Sequence, residues 1–94
     1  MVSAIILLNT RRGKVNDVGE KLAEMKGITE VFSVGGRYDL VALVRVSHNE
    51  DLAELVNTVL ANDENIEKTE SLIAFEVFSR HDLEAMFSIG MDQN

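Results

Sequence analysis

ITEVFSVGGRYDLVALVRV, residues 28–46, holds two β-rich runs on either side of a glycine turn. Residues 28–35 read as one strand and residues 38–46 as the next, with Gly35, Gly36 and Arg37 as a tight turn between them, so the stretch is a hairpin. The second run is apolar on both faces. Leu40, Ala42, Val44 and Val46 fall on one side of an extended chain and Val41 and Leu43 on the other. Residues 2–8 (VSAIILL) behave the same way, with Ala4, Ile6 and Leu8 opposed to Ile5 and Leu7. Strands apolar on both faces belong in the middle of a sheet. Residues 28–35, with Thr29, Glu30 and Ser33, and a long final run 66–78, with Glu67, Lys68, Thr69, Glu70 and Ser71, are polar enough for its edges.

Two helical patterns separate these strands. Val15, Val18, Leu22 and Met25 recur at helical spacing, which predicts a helix over about residues 14–26 with Asp17 and Glu20 as a capping box and Gly27 as its stop. Leu52, Leu55, Val56, Val59 and Leu60 form a second apolar stripe, begun by Ser47 and Glu50 and ended near Asn62 and Asp63. The order is therefore βαββαβ, an α+β, ferredoxin-like pattern: a four-stranded antiparallel sheet with two helices on one face. Residues 1–80 form this one domain. Residues 81–94 are a tail in which Leu83, Met86 and Phe87 are spaced for one short helix.

Composition narrows the function. The 94 residues make a single domain, one that buries only roughly 60–65% of its unfolded surface. Hydrophobic residues make up 46%, enough to exclude a disordered chain. With four Phe, Tyr38 and no Trp, the core is aliphatic. The net charge is −7, nine basic side chains being scattered among sixteen acidic ones, so no basic footprint for direct nucleic-acid binding exists. Cysteine is absent, which removes disulfides, thiol nucleophiles and Cys-ligated metal. His48 and His81 lie apart and complete no metal-ligand set. Residues 2–8 are too short to span a membrane and carry no charged leader, so no membrane is expected and the cytoplasm is the default location.

Two helices can hide only one face of the sheet. The other, lined by Ile5, Leu7, Val41 and Leu43, needs a partner sheet packed about 10 Å away. A homodimer, a dimeric α+β barrel, is the simplest such arrangement.

Local chemistry offers two sites. The N–H groups around Gly35 and Gly36 can form a concave nest for a carboxylate, and Asp39 beside them can meet an ammonium group, a combination suited to a zwitterion. Glycines also simply make hairpins. On the last strand Thr69 and Ser71 present two hydroxyls to one face, either as ligand donors or as the polar edge of a sheet. No nucleophile motif or acid–base pair stands out, so no catalytic residue and no cofactor is expected. Glu50 and Asp51 suit the first turn of a helix.

Three segments, AIILLNTRRG, VFSVGGRYDLVALVRV and IEKTESLIAF, together resemble the effector-binding RAM domain of the leucine-responsive/asparagine-responsive (Lrp/AsnC) transcriptional regulators over roughly residues 2–80. The hairpin is similar to that family's Gly-x-Tyr-Asp signature and the last strand to its Thr-x-Thr. The resemblance implies an amino-acid-binding module whose dimers assemble into rings such as octamers or decamers, with effector held between dimers by Gly36, Tyr38, Asp39, Thr69 and Ser71. Ser71 departs from the family's threonine, which leaves the choice of effector open. The chain begins at the first strand of that domain, so it reads as a stand-alone module without a helix-turn-helix, modulating transcription through full-length family regulators. A small dimeric α+β barrel enzyme and a purely structural oligomerisation module are the alternatives. For an enzyme, the cleft offers little beyond Asn9 and Asn57.

Overall fold

The computed structural model describes residues 1–78 and 80 of the chain. The expected tail helix around Leu83, Met86 and Phe87 lies outside the described residues. Strands β1 (Val2–Thr10), β2 (Ile28–Ser33), β3 (Leu40–Val46) and β4 (Ile66–Ala74) and helices α1 (Val15–Ala23) and α2 (Asn49–Glu54) follow in the order βαββαβ. A π-helical segment, Leu55–Leu60, continues α2. The sheet is antiparallel with order β2-β3-β1-β4, so the two doubly apolar strands are central.

Every second residue of the central strands points at the helices. Ala4, Ile6, Leu8, Leu40, Ala42 and Val44 are each at most 3% exposed, and they form one core with Val18 and Leu22 of α1 and Leu52, Leu55 and Leu60 of the second helix. Both helices therefore cover the same face. Burying a side chain of this kind is worth about 1.5–3 kcal/mol, so this one aliphatic layer is the main stabilising element of the domain.

The opposite face carries two rungs across all four strands. One runs Glu30–Leu43–Ile5–Leu72 and the other Phe32–Val41–Leu7–Glu70. Ile5, Phe32 and Leu72 are 37–48% exposed there. No element among the described residues covers these rungs as the helices cover the other side.

Several boundaries differ from those read in the sequence. The β2–β3 connection is a six-residue loop, Val34 to Asp39, closed by the Val34 N–H donating to the Asp39 carbonyl at 3.0 Å. Strand β4 stops at Ala74, whose pairing with Ser3 is the last between β4 and β1. Beyond it, Phe75 is 98% exposed. Helix α1 starts from Lys14, whose ammonium pairs with Asp17 at 3.7 Å, instead of from an Asp17–Glu20 capping box. It ends at Ala23, and Gly27 with φ of 94° serves the turn into β2. The second helix is capped at His48, not Ser47, where the Asp51 carboxylate accepts from the His48 N–H at 3.2 Å.

Candidate functional site

Asp39 is the busiest residue of the glycine-turn end. Its N–H donates to the Leu8 carbonyl at 2.9 Å and its carbonyl accepts from Val34. Its Oδ2 accepts from the Thr10 N–H at 2.8 Å in a half-buried setting. Strand β3 pairs with β1 only as far as Leu40–Leu8, and the β1–β4 register shifts between Asn9 and Thr10. The carboxylate thus acts as one further rung of the ladder, satisfying a backbone donor that β3 no longer reaches. Its second oxygen has no partner among the described residues.

Gly36 adopts φ of 119°, a backbone conformation side chains strain to reach, and open space surrounds it. Both glycines of the turn are exposed, so their N–H groups lie at the surface beside Asp39.

Tyr38 is not grouped with the hydroxyls of the last strand. Its phenol donates to Glu70 Oε2 at 3.2 Å. Glu70 lies opposite Leu7 on the uncovered face, so the side chain reaches from the turn across β1 to β4. Burial first, then the Glu70 hydrogen bond and charge, raise the phenol's pKa above its ordinary 10.0, against the opposing charge of Arg37. The sequence reading passed over Glu70. The signal that finds it is its place between Thr69 and Ser71, which by strand alternation puts it on the other face.

Thr69 stands opposite Leu8 and Ser71 opposite Ile6, so both belong to the helix-covered face, at the sheet's edge. Thr69 is half-buried and Ser71 exposed. The five expected site residues therefore gather at or near one end of the sheet, around the C-terminal half of β1, but divide between its two faces. The hollows of about 450, 400 and 260 Å³ on this chain are lined by other residues. Any pocket built from this set needs a further wall. One more polar group is buried nearby: Thr10 is 6% exposed and its Oγ1 has no hydrogen-bond partner.

Among the described residues no group of three or more His, Asp or Glu side chains could hold a metal ion. Nor is any helix among them long and apolar enough to cross a membrane.

The sheet order β2-β3-β1-β4 with two helices on one face defines a ferredoxin-like α+β domain. Residues 3–83 match the model of the Lrp/AsnC ligand binding domain, and the chain belongs to that family. It is 32% identical over 76 residues to the HTH-type transcriptional regulator FL11 of Pyrococcus furiosus, a match covering 81% of this chain and 50% of the regulator. The chain thus spans about half the length of the curated relatives it matches. A shorter relative is matched end to end. TTHA0845 from Thermus thermophilus superposes with a TM-score of 0.79 at 41% identity, over 85% of this chain and all of that one. The transcriptional regulator NMB0573 from Neisseria meningitidis, solved as a complex with L-Met, shares the fold at a TM-score of 0.76 and 11% identity, over 84% of this chain and 53% of its own.

Proposed function

We propose that this chain is an amino-acid-sensing module of transcription regulation that pairs with a second copy through its uncovered sheet face and completes its effector site where pairs meet. The observation that carries this reading is the uncovered face itself. Ile5, Leu7, Val41, Leu43, Phe32 and Leu72 form a continuous apolar surface over four strands, of the kind that soluble monomers rarely leave wet. A copy of the same sheet packed on it buries both surfaces at once.

The effector would lie at the glycine-turn end. There the exposed N–H groups by Gly36 can receive a carboxylate, and the free oxygen of Asp39 an ammonium. Thr69 and Ser71, along the edge strand, would add hydroxyls, and Tyr38 would set the shape of the turn from its anchor on Glu70. Because these residues face two ways, the missing wall comes from a neighbouring pair, which makes rings such as octamers or decamers the natural assembly. The relative solved with L-Met supports an amino acid as the effector. The regulators among its relatives, and the acidic charge of −7, support a part that senses and acts on full-length family regulators in the cytoplasm instead of contacting DNA or catalysing a reaction.

A thermal-shift screen against the standard amino acids tests the effector reading. A ligand at ten times its Kd adds about 1.4 kcal/mol, a rise in midpoint of roughly 6–11 °C for a chain this size. No shift and no heat of binding with any amino acid at millimolar concentration contradicts it.

A further inference from the structure

We infer that β4 is a docking edge: the β4 of a neighbouring copy adds to it antiparallel, with Thr69 across Thr69, and this contact joins one pair of chains to the next. Strand β4 is nine residues long, lies at an edge of the sheet and, among the described residues, pairs with β1 alone. None of its side chains belongs to the fully buried core, and only Ile66 packs against that core. Its far half is apolar and wet on both faces: Leu72 is 48% exposed on the uncovered side, and Ile73, opposite Ala4, is 56% exposed on the helix side. The other edge is blunted. Strand β2 has six residues, a register shift between Ile28 and Glu30, and Ile28 and Val31 packed with the core. A long edge with its outer N–H and C=O groups unpaired is a template for a further strand, whereas a short, irregular and covered one is not.

The charges on β4 select the strand that fits. Lys68 and Glu70 stand two apart on one face, opposite Asn9 and Leu7. Lys68 makes no ion pair among the described residues, and Glu70 gives one oxygen to Tyr38 and keeps the other. Edge charges of one sign repel an added strand. These two differ in sign, and in an antiparallel β4 pair with Thr69 across Thr69 the Lys68 of each copy falls opposite the Glu70 of the other. Two opposite-charge pairs and one threonine pair follow from a single strand meeting itself, an isologous contact. Centring the pair on Ser71 instead sets Glu70 against Leu72 and Lys68 against Ala74, and no charge is met. Resting on the proposed function, the contact also names the missing wall of the effector site: the Thr69 of one copy stands beside the Thr69 of the other, on the helix side of both sheets.

The chain has no cysteine, so one introduced thiol reports one position. Thr69→Cys places two thiols directly across the strand pair, with Cβ atoms about 5 Å apart, close enough for a disulfide. Ser71→Cys, on the same face, is the register control, its two thiols lying roughly 13 Å apart. Under diamide oxidation of the full chain, Thr69→Cys is expected to form covalent dimers at least about tenfold faster than Ser71→Cys, and adding Lys68→Glu, which sets like charges across the contact, to slow that linkage about tenfold. In the cysteine-free chain Lys68→Glu alone, at an exposed position, should shift sedimentation toward smaller assemblies. Equal rates at the two positions, faster linkage at Ser71→Cys, or no effect of Lys68→Glu on either readout overturns the inference. Face-to-face pairing fails or stands separately. Preferential linkage at Thr69→Cys in a chain that never exceeds two copies keeps this contact and removes that pairing, and a dimer broken by Leu72→Glu that shows no preference for Thr69→Cys does the reverse. No amino acid is present in these measurements, so the effector screen is independent of them.

Discussion

Replacing Asp39 separates two roles that the structure places on one side chain. Its Oδ2 accepts the Thr10 N–H at 2.8 Å, and its other oxygen is the proposed partner of an effector ammonium. Asp39→Ala strands the Thr10 donor in a half-buried position. Leaving such a group unsatisfied costs about 1–3 kcal/mol; taking about 1.5, the thermal midpoint falls by roughly 6–12 °C. Asp39→Asn keeps a carbonyl oxygen at the same reach and loses only the charge assistance, so its cost is about 0.5 kcal/mol. For effector binding the two variants converge, because neither offers a carboxylate to an ammonium. Urea denaturation of wild type and both variants at one fixed protein concentration, followed by calorimetric titration with whichever amino acid the screen identifies, measures both roles. The expected pattern is unequal stability and equally impaired binding. If alanine and asparagine are equally stable, the carboxylate is not a rung of the ladder. If asparagine binds as well as wild type, the Asp39 charge has no place in the effector site.

Two further predictions concern ionisation. Tyr38 is the sole tyrosine, so an ultraviolet titration reads it alone, and its pKa is expected above the ordinary 10.0 and to fall in Glu70→Gln; an unchanged value in that variant removes Glu70 as its partner. The Asp63 carboxyl is held below its ordinary 3.8, because the Asn65 N–H and Lys21, at 3.1 Å, outweigh the raising effect of burial. Its stabilising contribution is therefore complete above the ordinary carboxylate range and is lost as the pH falls through the depressed value, so Asp63→Asn should flatten the acid limb of the stability profile; an acid limb identical to wild type contradicts the coupling.

Where the sequence was most informative, it was because alternation is a strict geometric consequence of an extended chain. Ile5 against Ile6, and Val41 against Ala42, made β1 and β3 central before any pairing was known. The same alternation also held the division between Thr69, Ser71 and Glu70, but which of those faces meets the helices depends on the register with Leu8 and Ile6, and no single strand carries its partner's register. The π-helical turn was hidden for a different reason. Leu52, Leu55, Val56, Val59 and Leu60 fit an ordinary helix, and only the burial of Leu55 and Leu60, five apart, with Val59 left out, shows the wider turn. The cap was ambiguous within the sequence, since Ser47–Glu50 and His48–Asp51 are the same pattern one residue apart. As for Asp39, a carboxylate after a glycine turn serves ladder and ligand alike, and its bond to Thr10 depends on β3 pairing no further along β1 than Leu8.

The claim beneath all of this is that the uncovered face of the sheet is covered by another copy of the chain. Sedimentation velocity from about 1 to 100 µM, on the wild type and on Leu72→Glu, tests it directly. Wild type should sediment as a dimer or a multiple of dimers throughout, and the glutamate, placed in the rung of Leu43 and Ile5, should shift the distribution toward single chains. A wild-type chain that sediments as a folded monomer at the highest concentration contradicts the account.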